Sequence, residues 1–421
     1  MNSELRCDQA EGQFPVNAAG RGPERLRRGL NLPLLTLYGL GVTVGAGIYV
    51  LVGATAAKAG PFASVSFLIA ALVVAFTAFS YAELSTRYPV SAGEAAYVEA
   101  GFGMEWLTTL VGLAVALSGI VSAAAVAIGA ASYLHILTTV SRDFLTVLII
   151  LIMGLIALWG ITQSVTVAAI ITVVEISGLI LVIFWGFSVA EPMGTALSAM
   201  LPAVAGPHWS GIAAASLLAF FAFVGFEDMA NVAEEVKDPV RTMPKAIVYT
   251  LVLATILYVG TTSAVLYAVP LDALAASSAP LALVFEAAPE TIRQLFSVIA
   301  IVATINGVLI QMIMASRVLY GLADRGHLPA PLARVSRRTR TPIVATVSVV
   351  LMIVLLSQIL PIEALAEHTS QIVLLVFILV NSALIRLKLS GSEAKDCFRV
   401  PFLVPVLGLL TSIMLFGTSF L

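Results

Sequence analysis

Residues 30–60 read LNLPLLTLYGLGVTVGAGIYVLVGATAAKAG. The stretch is apolar for longer than the roughly 20 residues a helix needs to cross a hydrocarbon core. Yet Gly39, Gly41, Gly45 and Gly47 crowd its middle. A glycine inside a helix is about 1 kcal/mol worse than alanine. Gly45-Ala46-Gly47 also leaves the backbone almost bare, and bare N–H and C=O groups cannot face lipid. The break must face protein or a water-filled cavity. A stripe of small residues also serves close helix packing, so this span alone leaves both readings open.

The rest of the chain sets the solvent. Of 421 residues, 60% are hydrophobic and 11% charged, and the mean hydropathy is +1.03. Soluble domains average roughly 45–50% apolar and about 25% charged. That excludes a soluble enzyme, a disordered chain and a fibre, and makes the lipid bilayer the partner of most of the surface. A net charge of −2 gives no case for nucleic acid. Two cysteines, Cys7 and Cys397, make no disulfide framework.

Eleven stretches are long and apolar enough to span: 32–56, 61–84, 106–136, 144–160, 165–189, 210–233, 245–269, 292–316, 342–360, 364–387 and 401–420. Cytoplasmic loops collect Lys and Arg. With the N-terminus inside and the spans alternating, only Lys58, Arg142 and Arg293 of the 22 basic residues fall outside. The C-terminus is then outside. Residues 1–30 are polar, rich in Gly, Pro and Arg, and lack a signal peptide's apolar core. They are expected to form a disordered cytoplasmic tail.

The sixth span, SGIAAASLLAFFAFVGFEDMANVAEEVKDP (210–239), is also interrupted. Its apolar run gives way at Gly225 to Glu227 and Asp228, which are expensive against lipid. Two interrupted spans, five apart and opposite in direction, are the sequence pattern of an inverted-repeat transporter. A half-helix N-terminus offers N–H donors and a positive dipole end to a carboxylate. Unwound carbonyls accept an ammonium group. A zwitterionic amino acid matches both.

At this point the chain resembles the amino acid–polyamine–organocation (APC) superfamily, nearest to bacterial amino acid permeases related to cationic amino acid transporters. The likeness rests on GVTVGAGIYV (41–50), YAELSTRYPVSAGEAAYV (81–98), FFAFVGFEDMANVAEEVKDPVRTMPKAI (220–247), SRVLYGLADRGHLPAPLARVSRRTRTP (316–342) and the spacing of the spans. It covers most of residues 30–390. The resemblance implies an all-α polytopic membrane protein of LeuT-type 5+5 inverted-repeat fold, here with eleven transmembrane helices where the family usually has twelve. The core would run 31–390, with repeat one at 32–189 and repeat two at 210–387, and a linker and extra helix would fill 391–421. By position, Thr43, Val44, Gly45, Ala46 and Gly47 would meet the substrate carboxylate through backbone amides. Ala222, Phe223, Val224 and Gly225 would meet the amine through carbonyls. Phe223 or Phe226 would cover the site on the outer side.

Glu175 stands mid-span in TVAAIITVVEISGLILVIFWG (166–186), with no basic residue nearby in sequence. Many members of the resembled family carry lysine there. Two readings fit: a carboxylate that couples transport to a proton or holds a cation, or a structural acid hydrogen-bonded to a neighbouring helix. Intramembrane ionisable residues are functional by default. Glu227 favours a cationic substrate side chain, or pairs with nearby backbone. Thr304 lies where family analogy puts a cation site between spans one and eight, with helix packing as its other reading. The coupling ion is a proton, or else sodium, and no cofactor is expected. The glycine triplet lacks the GxxxxGK[ST] pattern, and no GxSxG or HExxH stretch occurs. The expectation is a plasma-membrane amino acid permease, not an enzyme, with an uncoupled amino acid or polyamine exchanger as the alternative and an amino acid sensor as a remote one.

Overall fold

The computed structural model describes residues 29–89, 93–159, 165–188, 194–203, 206, 208–336, 339, 341–391 and 397–420. Of the expected N-terminal tail, residues 1–28 lie outside these. Among the described residues every ordered element is helical, apart from a single pairing of Leu30 with Val236.

The first apolar stretch forms two helices. Asn31 caps α1 (Leu32–Thr43) by accepting the Leu34 N–H at 3.1 Å, with Pro33 in the first turn. After a break at Val44 and Gly45, α2 (Ala46–Ala59) resumes. A bend at Gly60–Phe62 leads into α3 (Ala63–Arg87). A short helix, α4 (Gly93–Phe102), precedes the long α5 (Glu105–Ile136), then α6 (Arg142–Trp159) and α7 (Val165–Phe187). Helix α8 (His208–Phe221) unwinds at residues 222–225 into a ten-residue 3-10 segment, Phe226–Glu235. Such segments rarely exceed 3–4 residues and mark strain or function. There follow α9 (Pro239–Ala268), the short α10 (Leu271–Ala276), α11 (Glu290–Asp324), α12 (Ile343–Ile359), α13 (Ile362–Leu389) and α14 (Leu403–Gly417).

Among the described residues, nine helical stretches are long and apolar enough to cross a membrane. The first runs Gly47–Arg87, so α2 and α3 count there as one; α1 and α12 are apolar but shorter, at 12 and 17 residues. Among the described residues, each of the eleven expected stretches falls on one or two of these helices, the first and the sixth with a break inside. The first is split because Gly45 ends one helix at the start of the next. Helix α4 was not expected: GEAAYVEAGF has no long apolar run. It packs so closely on α13 that a Cβ on Gly101 would lie 2.6 Å from Ala383 Cβ.

Helix α14 is fastened to α3 and α13. Glu83 is fully buried near the end of α3. One carboxylate oxygen accepts from Arg87. The other accepts from Lys388 at 2.7 Å and from the Val400 N–H at 2.8 Å. Lys388 also donates to the Val400 carbonyl at 2.7 Å. Further along the same two helices, Asn381 accepts from Ser80 at 2.7 Å and donates to Thr77 at 2.9 Å. Gly408 of α14 lies against it, where a Cβ would come within 2.5 Å of Asn381 Oδ1. The extra helix is thus part of the packed body.

Removing one partner of a buried ion pair strands the others. Glu83→Ala is expected to destabilise the protein by about 3–5 kcal/mol. A melting curve in detergent matching that of the parent protein would refute this role for Glu83.

Candidate functional site

The two breaks meet. A Cβ on Gly47 would lie 2.5 Å from Ala222 Cα, and a Cβ on Gly225 would lie 2.7 Å from the Val42 carbonyl. Both glycines let backbone touch backbone, and Gly225 also adopts φ 121°, open to glycine alone at little cost. Helix α2 starts without a side-chain cap, so its first N–H groups are available at the break. On the other side the turn 222–225 ends α8, with Ala222, Phe223 and Val224 donating one turn back to Ala219, Phe220 and Phe221.

Tyr258 of α9 holds the crossing. Its hydroxyl lies 2.7 Å from the Thr43 carbonyl and 2.7 Å from the Ala222 carbonyl. One hydroxyl proton serves two acceptors, one from each broken helix. Phe223 stacks edge-on against Tyr258 at 4.9 Å. The sequence reading missed Tyr258, although a tyrosine centred in an apolar helix has to find a partner for its hydroxyl.

The expected substrate residues therefore gather. Thr43, Val44, Gly45, Gly47, Ala222, Phe223, Gly225, Phe226 and Glu227 are all buried, and Val224 is partly so. Ala46 follows the break as the first residue of α2. The two aromatic candidates part company. Phe223 joins Tyr258, which also meets Phe67 near the start of α3, whereas Phe226 joins Tyr81 near its end. Glu227 curls back on its own turn, accepting the Gly225 N–H at 2.9 Å.

Beyond the break, Val224, Glu227 and Asp228 border a cavity of about 10 Å³, the space of one water molecule. Tyr81, Glu94 and Gln311 line it too. Glu94, on α4 and outside the spans, is buried and pushed up to about 8. Burial is the main cause and the nearby Asp228 adds to it, while the backbone N–H of Glu94 and the Tyr81 hydroxyl pull the other way. Glu94 lies in the family-like stretch 81–98, but sequence reading did not single it out as a site residue.

Glu175 is also fully buried. Its Oε1 accepts from Asn306 of α11 at 3.2 Å, while Oε2 has no hydrogen-bond partner among the described residues. The Glu175 backbone carbonyl accepts from Tyr49 of α2 at 2.6 Å, and the Tyr49 carbonyl accepts from Tyr133 of α5 at 2.5 Å. Glu175 is thereby tied to the half-helix that follows the first break. Thr304 is not brought into this group by any hydrogen bond of its hydroxyl, which donates to its own helix at Ala300 (2.7 Å) and Ile301 (3.1 Å).

Comparison with known proteins finds relatives of this chain. The family model for amino acid permease matches residues 30–421. The chain is 28% identical to a branched-chain amino acid permease of Bacillus subtilis, over 95% of this chain and 89% of that one. It is 31% identical to the vacuolar cationic amino acid transporter 4 of Arabidopsis thaliana, over 90% of this chain but 66% of the plant protein's length. It is 28% identical to a methylthioribose transporter of Bacillus subtilis, over 92% of this chain and 87% of that one.

Two outcomes follow from the geometry. Tyr258→Phe leaves two buried carbonyls short of a donor and is expected to lower stability by about 1–3 kcal/mol; an unchanged melting temperature in detergent would remove the bridge from the argument. Glu94 gives a pH dependence. Its folded pKa of about 8 lies above the ordinary glutamate value near 4.3. Between these values the folded state holds the extra proton, so stability falls as pH rises. Glu94→Gln is expected to flatten that decline; an identical slope from pH 5 to pH 8 would contradict it.

Proposed function

The chain belongs to the amino acid permease family, and from that premise we propose that it carries amino acids across a plasma membrane by alternating access, with a proton as the coupling ion. Amino acid transport across a membrane is the function its relatives support. The contact of Gly47 with Ala222 carries the mechanistic reading. It puts the uncapped start of α2 beside the carbonyl end of α8. A free amino acid presents a carboxylate and an ammonium a few ångströms apart, which suits N–H groups on one side and carbonyls on the other.

In this reading Thr43 to Gly47 receive the carboxylate and Ala222 to Gly225 the amine. Tyr258 keeps the two carbonyl ends together. Helices α1–α3 and α5–α7 form one repeat, and α8, α9 and α11–α13 form the other. The repeats move against each other about the crossing, with the N-terminus cytoplasmic. Glu175 couples that movement to a proton. It lies in the first repeat, binds Asn306 of the second, and leaves Oε2 free to take a proton. Protonation changes the grip between repeats, so substrate and proton bias the same equilibrium. A proton at Glu175 is favoured because its carboxylate has an oxygen without a hydrogen-bond partner among the described residues; the Thr304 hydroxyl donates to its own helix and keeps its lone pairs, so a sodium ion there is the second reading.

The test is uptake of a labelled amino acid panel into sodium-free proteoliposomes, with and without an inward proton gradient. The gradient is expected to drive accumulation. Glu175→Gln is expected to lose accumulation while still exchanging substrate across the membrane. Exchange in preloaded vesicles with no response to the gradient would replace proton symport with uncoupled exchange and return Glu175 to a structural hydrogen bond.

A further inference from the structure

The first turn of α2 carries a side chain that the transport scheme leaves idle. Tyr49 is the fourth residue of that helix and is fully buried. Its hydroxyl donates to the backbone carbonyl of Glu175 on α7 at 2.6 Å. Its own carbonyl accepts from the Tyr133 hydroxyl of α5 at 2.5 Å. Its ring stacks on Phe296 of α11 with centroids 6.4 Å apart, and meets Tyr133 edge-on at 6.5 Å. One residue thereby touches α5, α7 and α11.

The fit around the hydroxyl is close. Gly178, one turn after Glu175, leaves the room for it: a Cβ there would lie 2.5 Å from the Tyr49 hydroxyl and 2.5 Å from Ile299 Cγ2 of α11. A tyrosine ring is rigid, so the hydroxyl keeps this carbonyl only while α2 and α7 hold their present offset. A buried hydroxyl that loses its acceptor is costly. Moving α2 along α7 therefore has to break or trade this bond.

The place of the bond in the chain gives it meaning. The N–H groups offered to a substrate carboxylate belong to the same turn of α2 as Tyr49. On the far side, the residue whose carbonyl Tyr49 holds is the one whose carboxyl binds Asn306. We propose, resting on the proton-coupled reading of Glu175, that Tyr49 is the positioning residue between the two ligands. Its hydroxyl carries the displacement of the α2 turn to Glu175, so that substrate and proton bias one equilibrium. Without the hydroxyl, α2 changes position whether or not Glu175 holds a proton, and substrate crosses without its ion.

Among the described residues, the titratable groups that face Glu175 are the Tyr49 hydroxyl from α2 and the Tyr258 hydroxyl from α9. The facing group of α11 is the neutral Asn306. The segment 280–285, which meets α7 through Phe285 and Trp185, has no titratable side chain, and Tyr38 of α1 lies by Asp228, Glu235 and Arg317 instead. The test is transport by the full chain in sodium-free proteoliposomes, with protons and labelled amino acid counted in the same vesicles. Tyr49→Phe keeps the ring on Phe296 and removes only the hydroxyl. It is expected to exchange substrate within about twofold of the parent while gradient-driven accumulation falls about fivefold or more, the lower end of usual coupling between two sites. Fewer protons then accompany each substrate. In the Glu175→Gln background the same change is expected to add nothing. Gly178→Ala crowds the hydroxyl off its carbonyl without altering either partner. It is expected to act like Tyr49→Phe, and decides alone should that variant fail to fold.

Accumulation and proton flux in Tyr49→Phe equal to the parent's, with Glu175→Gln still losing accumulation, would overturn the link and leave Glu175 as the coupling site. A parallel fall of exchange, accumulation and proton flux, at an unchanged ratio of protons to substrate, would reduce Tyr49 to a structural tie and likewise overturn it. A parent protein that ignores the gradient, as does Glu175→Gln, would fail the proton-coupled reading itself and this link with it.

Discussion

The structure depends on one constraint: backbone that unwinds at membrane depth must find its hydrogen bonds inside the protein. Two segments unwind here, and each brings carbonyls to the crossing. The Tyr258 hydroxyl answers one carbonyl from each. Around it, Gly47 lies against Ala222 and Gly225 against Val42, so each broken helix is part of the other's wall. Helix α7 closes on the same place. Its Gly178 leaves room for the Tyr49 hydroxyl, which a Cβ would approach to 2.5 Å. A ligand entering this crossing would compete for groups that already hold the two broken helices together.

Much of this is legible in the sequence. Apolar length reveals the spans, because lipid tolerates little else. The glycines at 45, 47 and 225 mark the breaks, and at 47 and 225 a side chain would collide with the other broken helix. Glu175 stands out as a lone acid in an apolar run. What the sequence hides is the partner. Asn306 lies 131 residues from Glu175, and nothing in either stretch points to the other. Thr304, two residues before Asn306, was the more attractive candidate by family analogy, yet its hydroxyl folds back on its own helix.

The cavity was hidden for a different reason. Its walls come from six separate elements, and its most telling members, Glu94 and Gln311, lie in stretches where local pattern indicates only a connecting segment and an apolar helix. Glu227 and Asp228 were visible as acids after a break. That they face a third acid from α4 depends on how α4 lies over α13, through the contact of Gly101 with Ala383. A helix of ten residues with no long apolar run gives no warning of that role.

The fastening of α14 bears on how the chain is built. Glu83 is made early, near the end of the second span, yet two of its partners lie 305 and 317 residues further on. Its bond to Arg87 lies within its own turn, whereas those to Lys388 and Val400 can form only after more than three hundred further residues have been made, so a buried charge of an early helix is completed by a late segment of the chain.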